Sequence, residues 1–178
     1  MFFISWLNNN WVSNILKNYE TFWLLNELKR SKFGRKYSIM DIQTLDKELT
    51  QIAELRSALK SASQEQGNIK ETLQNLEEKF LESYGNVLED ALKDVHDEIC
   101  PDDQVKPVSS YLANSYIDTG NRRDGLKVFE VESNQGVEVG VDDYPGEDTK
   151  LVIIPNPCRI MLLVGENERE ELWRIREN

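Results

Sequence analysis

Histidine is nearly absent from this chain and cysteine is scarce: His96 stands alone, and Cys100 and Cys158 are the only thiols in 178 residues. A structural zinc site takes four ligands, so one imidazole and two thiols cannot fill one without carboxylates. Two thiols, with no apolar stretch ending in a small-residue cleavage site, do not suggest a disulfide-built secreted domain. Both are expected to be reduced in a cytoplasmic protein. No run of about 18 apolar residues occurs, so no spanning helix is predicted. Bases are also in deficit, 21 Lys and Arg against 32 Asp and Glu for a net charge of −11, which disfavours a nucleic-acid partner. A phosphate loop is missing as well, because Asp118-Thr119-Gly120-Asn121 lacks its lysine and its spacing.

What charge there is lies unevenly. Residues 1–39 carry six bases and two acids, a net of +4, which leaves −15 on residues 40–178. The same arm holds Trp6, Trp11 and Trp23, three of the four tryptophans. Trp11, Ile15, Leu16, Tyr19, Phe22 and Trp23 recur at helical spacing, ahead of a basic cluster over 29–36. That pattern suits an interfacial helix, with rings at headgroup depth and bases towards anionic lipid. Two other readings stand beside it. The arm could lie outside the native fold, with Met40 as the natural start, or it could pack on the protein's own core.

From Asp41 to Ile99 the apolar residues advance by threes and fours, through Leu45, Leu49, Ile52, Leu59, Ile69, Leu73, Leu76 and Phe80. Proline does not interrupt the pattern before Pro101. Gln66 keeps the step alive, which favours one continuous coiled-coil helix. The rival is a helical hairpin, broken in the polar stretch 61–68, with Gly67 ending one helix and Asn68 capping the next through Glu71. A lone amphipathic helix of this length leaves its apolar face in water, so the stripe must be covered by a helix of the same or another chain.

After Pro101 the period changes. Tyr111, Leu112, Ser115 and Tyr116 have helical spacing, with Gly120 as the stop and a turn over 121–125. Two alternating strands follow, one over 126–131 and one over 137–141, expected to pair as a hairpin across Ser133-Asn134-Gln135-Gly136. The dense runs 151–154 and 160–164 read as strands buried on both faces. Asn167 with Glu170, and acids ahead of Arg174 and Arg176, predict a short closing helix.

Three clusters invite chemistry, and none compels it. His96 lies four residues before Cys100 on a helix, without the further ligands a metal needs or the third member a nucleophilic pair needs, so it reads as a solvated histidine near a helix C-terminus. The acidic loop 142–148 lacks the alternation of a calcium loop, and Pro145-Gly146 accounts for it as a turn. Arg122 and Arg123 could hold an anion but resemble an ordinary soluble turn.

These patterns predict an α+β protein: an arm over 1–39, a coiled-coil or helical-hairpin segment over 40–100, and a small, mostly antiparallel β-domain over 101–178. The expected function is that of a non-enzymatic cytoplasmic adaptor or assembly factor. It would form a homo-oligomer through the helical stripe and present its β-domain to a protein partner. The alternative is a peripheral membrane protein anchored by Trp6, Trp11 and Trp23. Catalytic residues, cofactor and metal ion are all expected to be lacking.

Overall fold

Asp41 opens the first helix. Its carboxylate accepts the Thr44 N–H at 3.2 Å and also the Thr44 hydroxyl, satisfying a donor that every helix start leaves unpaired. Helix α1 then runs Ile42–Ser61 and helix α2 Gln66–Ile99, in a computed structural model that describes residues 41–61 and 66–175. The arm, and with it Trp6, Trp11 and Trp23, lies outside the described residues.

The two helices form a hairpin. The continuous helix favoured by the register through Gln66 does not form: α1 stops at Ser61, and α2 lies back against it. Glu48 of α1 meets Lys79 of α2 at 2.9 Å, and Arg56 meets Glu77 at 2.6 Å, an antiparallel arrangement. Gly67 and Asn68 sit inside α2 rather than at a break, so the second helix starts ahead of the cap that Asn68 suggests. The polarity of 61–68 offers the stripe nothing to bury there, and turning back gives the rest of it a partner.

Leu45, Leu49 and Ile52 are wholly buried, Leu73 and Phe80 are buried, and Leu59, Ile69 and Leu76 are half-buried. The same chain therefore covers five of the eight stripe residues and leaves Leu59, Ile69 and Leu76 part-exposed. Arg56 tightens the arrangement, donating to the carbonyls of Leu112 and Ala113 at 3.0 Å each while it holds Glu77.

A 3-10 turn, Val108–Tyr111, leads into two antiparallel sheets. Strands β1 (Ile117–Arg123) and β2 (Leu126–Glu130) form a two-stranded ribbon, while β3 (Val137–Glu138), β4 (Thr149–Ile154), β5 (Arg159–Val164) and β6 (Glu168–Arg174) form a sheet in sequence order. β4 is buried along its whole length, as its dense apolar run implies. Val152, Ile154 and Leu163 of this sheet meet Phe129 and Val131, with Ala53, Ala113 and Tyr116, in one core cluster. Tyr116 satisfies its hydroxyl inside that cluster by donating to the Ile153 carbonyl at 3.1 Å and accepting the Ala113 N–H at 3.0 Å.

Three sequence expectations fail here, each for a tertiary reason. The helical spacing at 111–116 yields only the 3-10 turn, because the chain straightens at Ile117 to pair with β2. Strand β2 pairs with β1 and not with the 137–141 segment, whose partner is β4, Val137 lying opposite Leu151. Gly136 makes that second pairing possible: at φ +97°, a Cβ there would stand 2.4 Å from the Leu151 carbonyl oxygen. The closing helix is instead β6, which turns at Gly165 and covers the free edge of β5 from Val164 opposite Glu168 to Arg159 opposite Arg174. A helix of so few residues has little stability of its own to set against a full ladder.

Asp41–Glu177 make one compact unit, so helices and strands share it. Among the described residues no helix is long and apolar enough to cross a membrane.

Candidate functional site

The turn between β4 and β5 borders a concavity of this unit. Asn156 is 1% exposed and adopts φ 47°, a left-handed conformation that asparagine tolerates better than most residues. Its Nδ2 donates to the carbonyls of Arg123, Leu126 and Lys127 at 3.0 to 3.1 Å, tying the turn to the tip of the β1–β2 ribbon. One residue further, Pro157 follows a cis peptide bond, and the Cys158 N–H donates to Asp46 Oδ1 at 2.7 Å. Helix α1, the ribbon tip, this turn and the end of β6 thus meet around a half-open cavity of about 830 Å³.

Its walls carry both signs of charge. Asp46 and Lys47 come from α1, Arg123 and Asp124 from the ribbon, Glu171 and Arg174 from β6, with Ile42, Leu126, Pro157 and Ile175 between them. Burial pushes the Asp46 carboxyl up, against the opposing pull of the Cys158 N–H, Arg123 and Arg159. Burial also lowers the Arg159 guanidinium, which Glu171 supports and Arg174, opposite it in the ladder, opposes. Arg174 pairs with Glu171 at 2.5 Å, whereas Arg123 Nε stands 3.5 Å from the exposed Asp124. Such a cavity can recognise a polar ligand. It has no hydroxyl or thiol nucleophile on its walls.

His96 and Cys100 come together as their spacing predicts, but in the interior. His96 is 2% exposed, which corrects the expectation of a solvated helix-end histidine: the last turn of α2 is covered by the segment that returns over it. Its Nδ1 lies 3.3 Å from Cys100 Sγ and its Nε2 2.8 Å from the Tyr111 hydroxyl, which in turn accepts the Lys106 N–H at 3.1 Å. Burial, with Asp103 nearby, pushes the Cys100 thiol up to about 11, and Cys158 also stays a thiol. A nucleophilic cysteine needs the opposite shift. The trio is thus a satisfied polar contact within the core.

Burial lowers the His96 imidazole below the ordinary 6.5, while Asp103 and Asp97 pull the other way. The folded chain then favours neutral His96. Its contribution to stability is complete above pH 6.5 and shrinks as pH falls from there towards the lower folded value, at up to about 1.4 kcal/mol per pH unit. Chemical denaturation between pH 7 and 5 should show this slope, and His96→Gln should flatten it even at the cost of overall stability.

Asp142, Asp143, Glu147 and Asp148 are all exposed on the β3–β4 connection, and among the described residues no three His, Cys, Asp or Glu side chains converge as metal ligands. Arg122 pairs locally with Asp118 at 3.2 Å, so of the two neighbouring arginines Arg123 alone reaches the cavity. Asp46, Asn156 and Pro157 escape a reading of the sequence. Asp46 sits one step off the stripe, and Pro155-Asn156-Pro157 signals a turn without signalling what the turn faces. No protein-family model, curated protein or solved structure matches the chain.

Proposed function

We propose that the chain is a non-enzymatic cytoplasmic adaptor whose working surface is its β-part, with the helical hairpin as internal support. The observation that carries this reading is the β1–β2 ribbon. Its strand β1 is almost wholly exposed, and it bears Ile117, at 48% the one large apolar side chain exposed among the described residues. Between Asp118 and Arg122 the strand bulges, with Gly120 at φ +80°, which twists its outer edge and hinders a second copy from adding there. The side chains best suited to covalent chemistry, Cys100, Cys158 and His96, are buried. Self-association through the stripe is not carried into this reading, because Leu45, Leu49, Ile52, Leu73 and Phe80 are buried within the chain itself.

A photo-crosslinker placed at Ile117 in the full chain tests it. A partner protein should be trapped from that position and not from exposed Glu78 on α2, and Ile117→Asp should abolish binding of the partner so found. Equal trapping from both positions, or binding unaffected by Ile117→Asp, would overturn the reading.

A second reading rests on the composition of residues 1–39, with its net +4 and three tryptophans beside an acidic remainder. A membrane-peripheral protein should co-sediment with anionic vesicles, and release should follow a rise in salt. Residues 40–178 alone should stay in solution. Equal sedimentation of both forms ends this reading.

A further inference from the structure

The cavity at the β4–β5 turn holds two opposite charges that do not close on each other. Arg123 acts electrostatically on Asp46 but makes no ion pair with it; its guanidinium forms only a long, solvent-exposed pair with Asp124 at 3.5 Å, one that a ligand carboxylate can replace. Both ends are held by other means: Asp46 by the Cys158 N–H, and the Arg123 main chain by Asn156. Between them Leu126 and Pro157 offer apolar surface, Pro157 being buried and Leu126 half-buried. On the far wall Glu171 and Arg174 neutralise each other at 2.5 Å. A simple anion would meet Asp46 and Asp124, and a simple cation would meet Arg123 and Lys47. A ligand carrying one charge of each sign satisfies both ends. The cavity, at about 830 Å³, falls within the usual size of small-ligand sites.

We propose that this cavity binds a small zwitterion with an apolar side chain, an amino acid or a short peptide, its ammonium group on Asp46 and its carboxylate on Arg123. Recognition of this kind rejects analogues that lack either charge, because the protein group left behind loses its partner. The site is separate from the ribbon surface at Ile117, so it stands or falls independently of the adaptor reading.

Thermal unfolding and titration calorimetry on the full chain decide it, with leucine and leucyl-leucine as probes at about 5 mM, where a ligand of modest affinity already shifts the equilibrium. One or both should raise the melting temperature and release heat. The N-acetylated and C-amidated forms of the same probe should bind at least about tenfold more weakly, since each removes one of the two charges that Asp46 and Arg123 would pair. Arg123→Ala should cause a similar loss while leaving the fold intact, since Asn156 bonds the main-chain carbonyl of Arg123 and not its side chain. Asp46→Asn keeps an acceptor for the Cys158 N–H but removes the charge, and it should lose binding as well. If that variant does not fold, the capped probes and Arg123→Ala carry the decision. Absence of binding by both probes, equal binding of the capped forms, or full binding by Arg123→Ala would overturn the proposal.

Discussion

Replacing Leu49 with aspartate should unfold the chain, and the transition should not depend on protein concentration. Leu49 is fully buried beside Leu45 and Ile52, on the face of α1 that the rest of the unit covers. A carboxylate there loses its hydration without gaining a partner, and the apolar contacts of the leucine go with it. The cost is about 4 to 5 kcal/mol, which reaches the lower end of an ordinary domain's whole stability. Circular dichroism should show lost helicity at 25 °C or a collapse of the melting temperature. Leu76→Asp gives the contrast. Leu76 is half-buried, so the substitution should cost nearer 1 kcal/mol and leave a folded chain of unchanged mass. An interchain seam predicts the reverse pattern, in which Leu76→Asp separates copies that remain folded.

Asn156→Ala should destabilise by about 3 kcal/mol, which lowers the melting temperature on the order of 10 °C for a chain of this size. Two effects add. The carbonyls of Arg123, Leu126 and Lys127 lose the amide that serves all three, in a place water reaches poorly. The backbone at φ 47° also suits asparagine or glycine and strains alanine by about 1 kcal/mol. Asn156→Gly separates the two, recovering the backbone part but not the hydrogen bonds. Asn156→Asp should be as damaging as alanine or worse, because a carboxylate facing carbonyl oxygens has nothing to accept. Equal stability of the asparagine and alanine forms would show that the ribbon tip is held by packing alone.

Much of the fold can be read from local pattern, and the errors share one origin. The stripe from Leu45 to Phe80 and the dense runs of β4 and β5 are long and regular, so they point to buried elements whatever surrounds them. Short segments are settled by their neighbours. Asp124-Gly125, both at positive φ, is a two-residue hairpin signal, but helical spacing at Tyr111, Leu112, Ser115 and Tyr116 masks it. Likewise Asn167 and Glu170 are spaced like a capping box and yet belong to a strand connection and an edge strand, because β5 offers a ladder. The candidate site is barely legible. Its members come from residues as far apart as Asp46 and Arg174, and long-range hydrogen bonds, those of Asn156 and Cys158 among them, bring them to one place. Burial of His96 is equally hidden, since nothing local to α2 reveals that Tyr111 returns to its side chain.

The central claim is that the apolar stripe is closed within one chain, so that the surfaces left for function are the ribbon at Ile117 and the cavity at Asn156. Multi-angle light scattering on residues 40–178, across a wide range of concentration, tests it most directly. The account predicts a single folded species with the mass of one copy at every concentration. A folded dimer or larger assembly that persists on dilution would contradict it and return the stripe to an interface between chains.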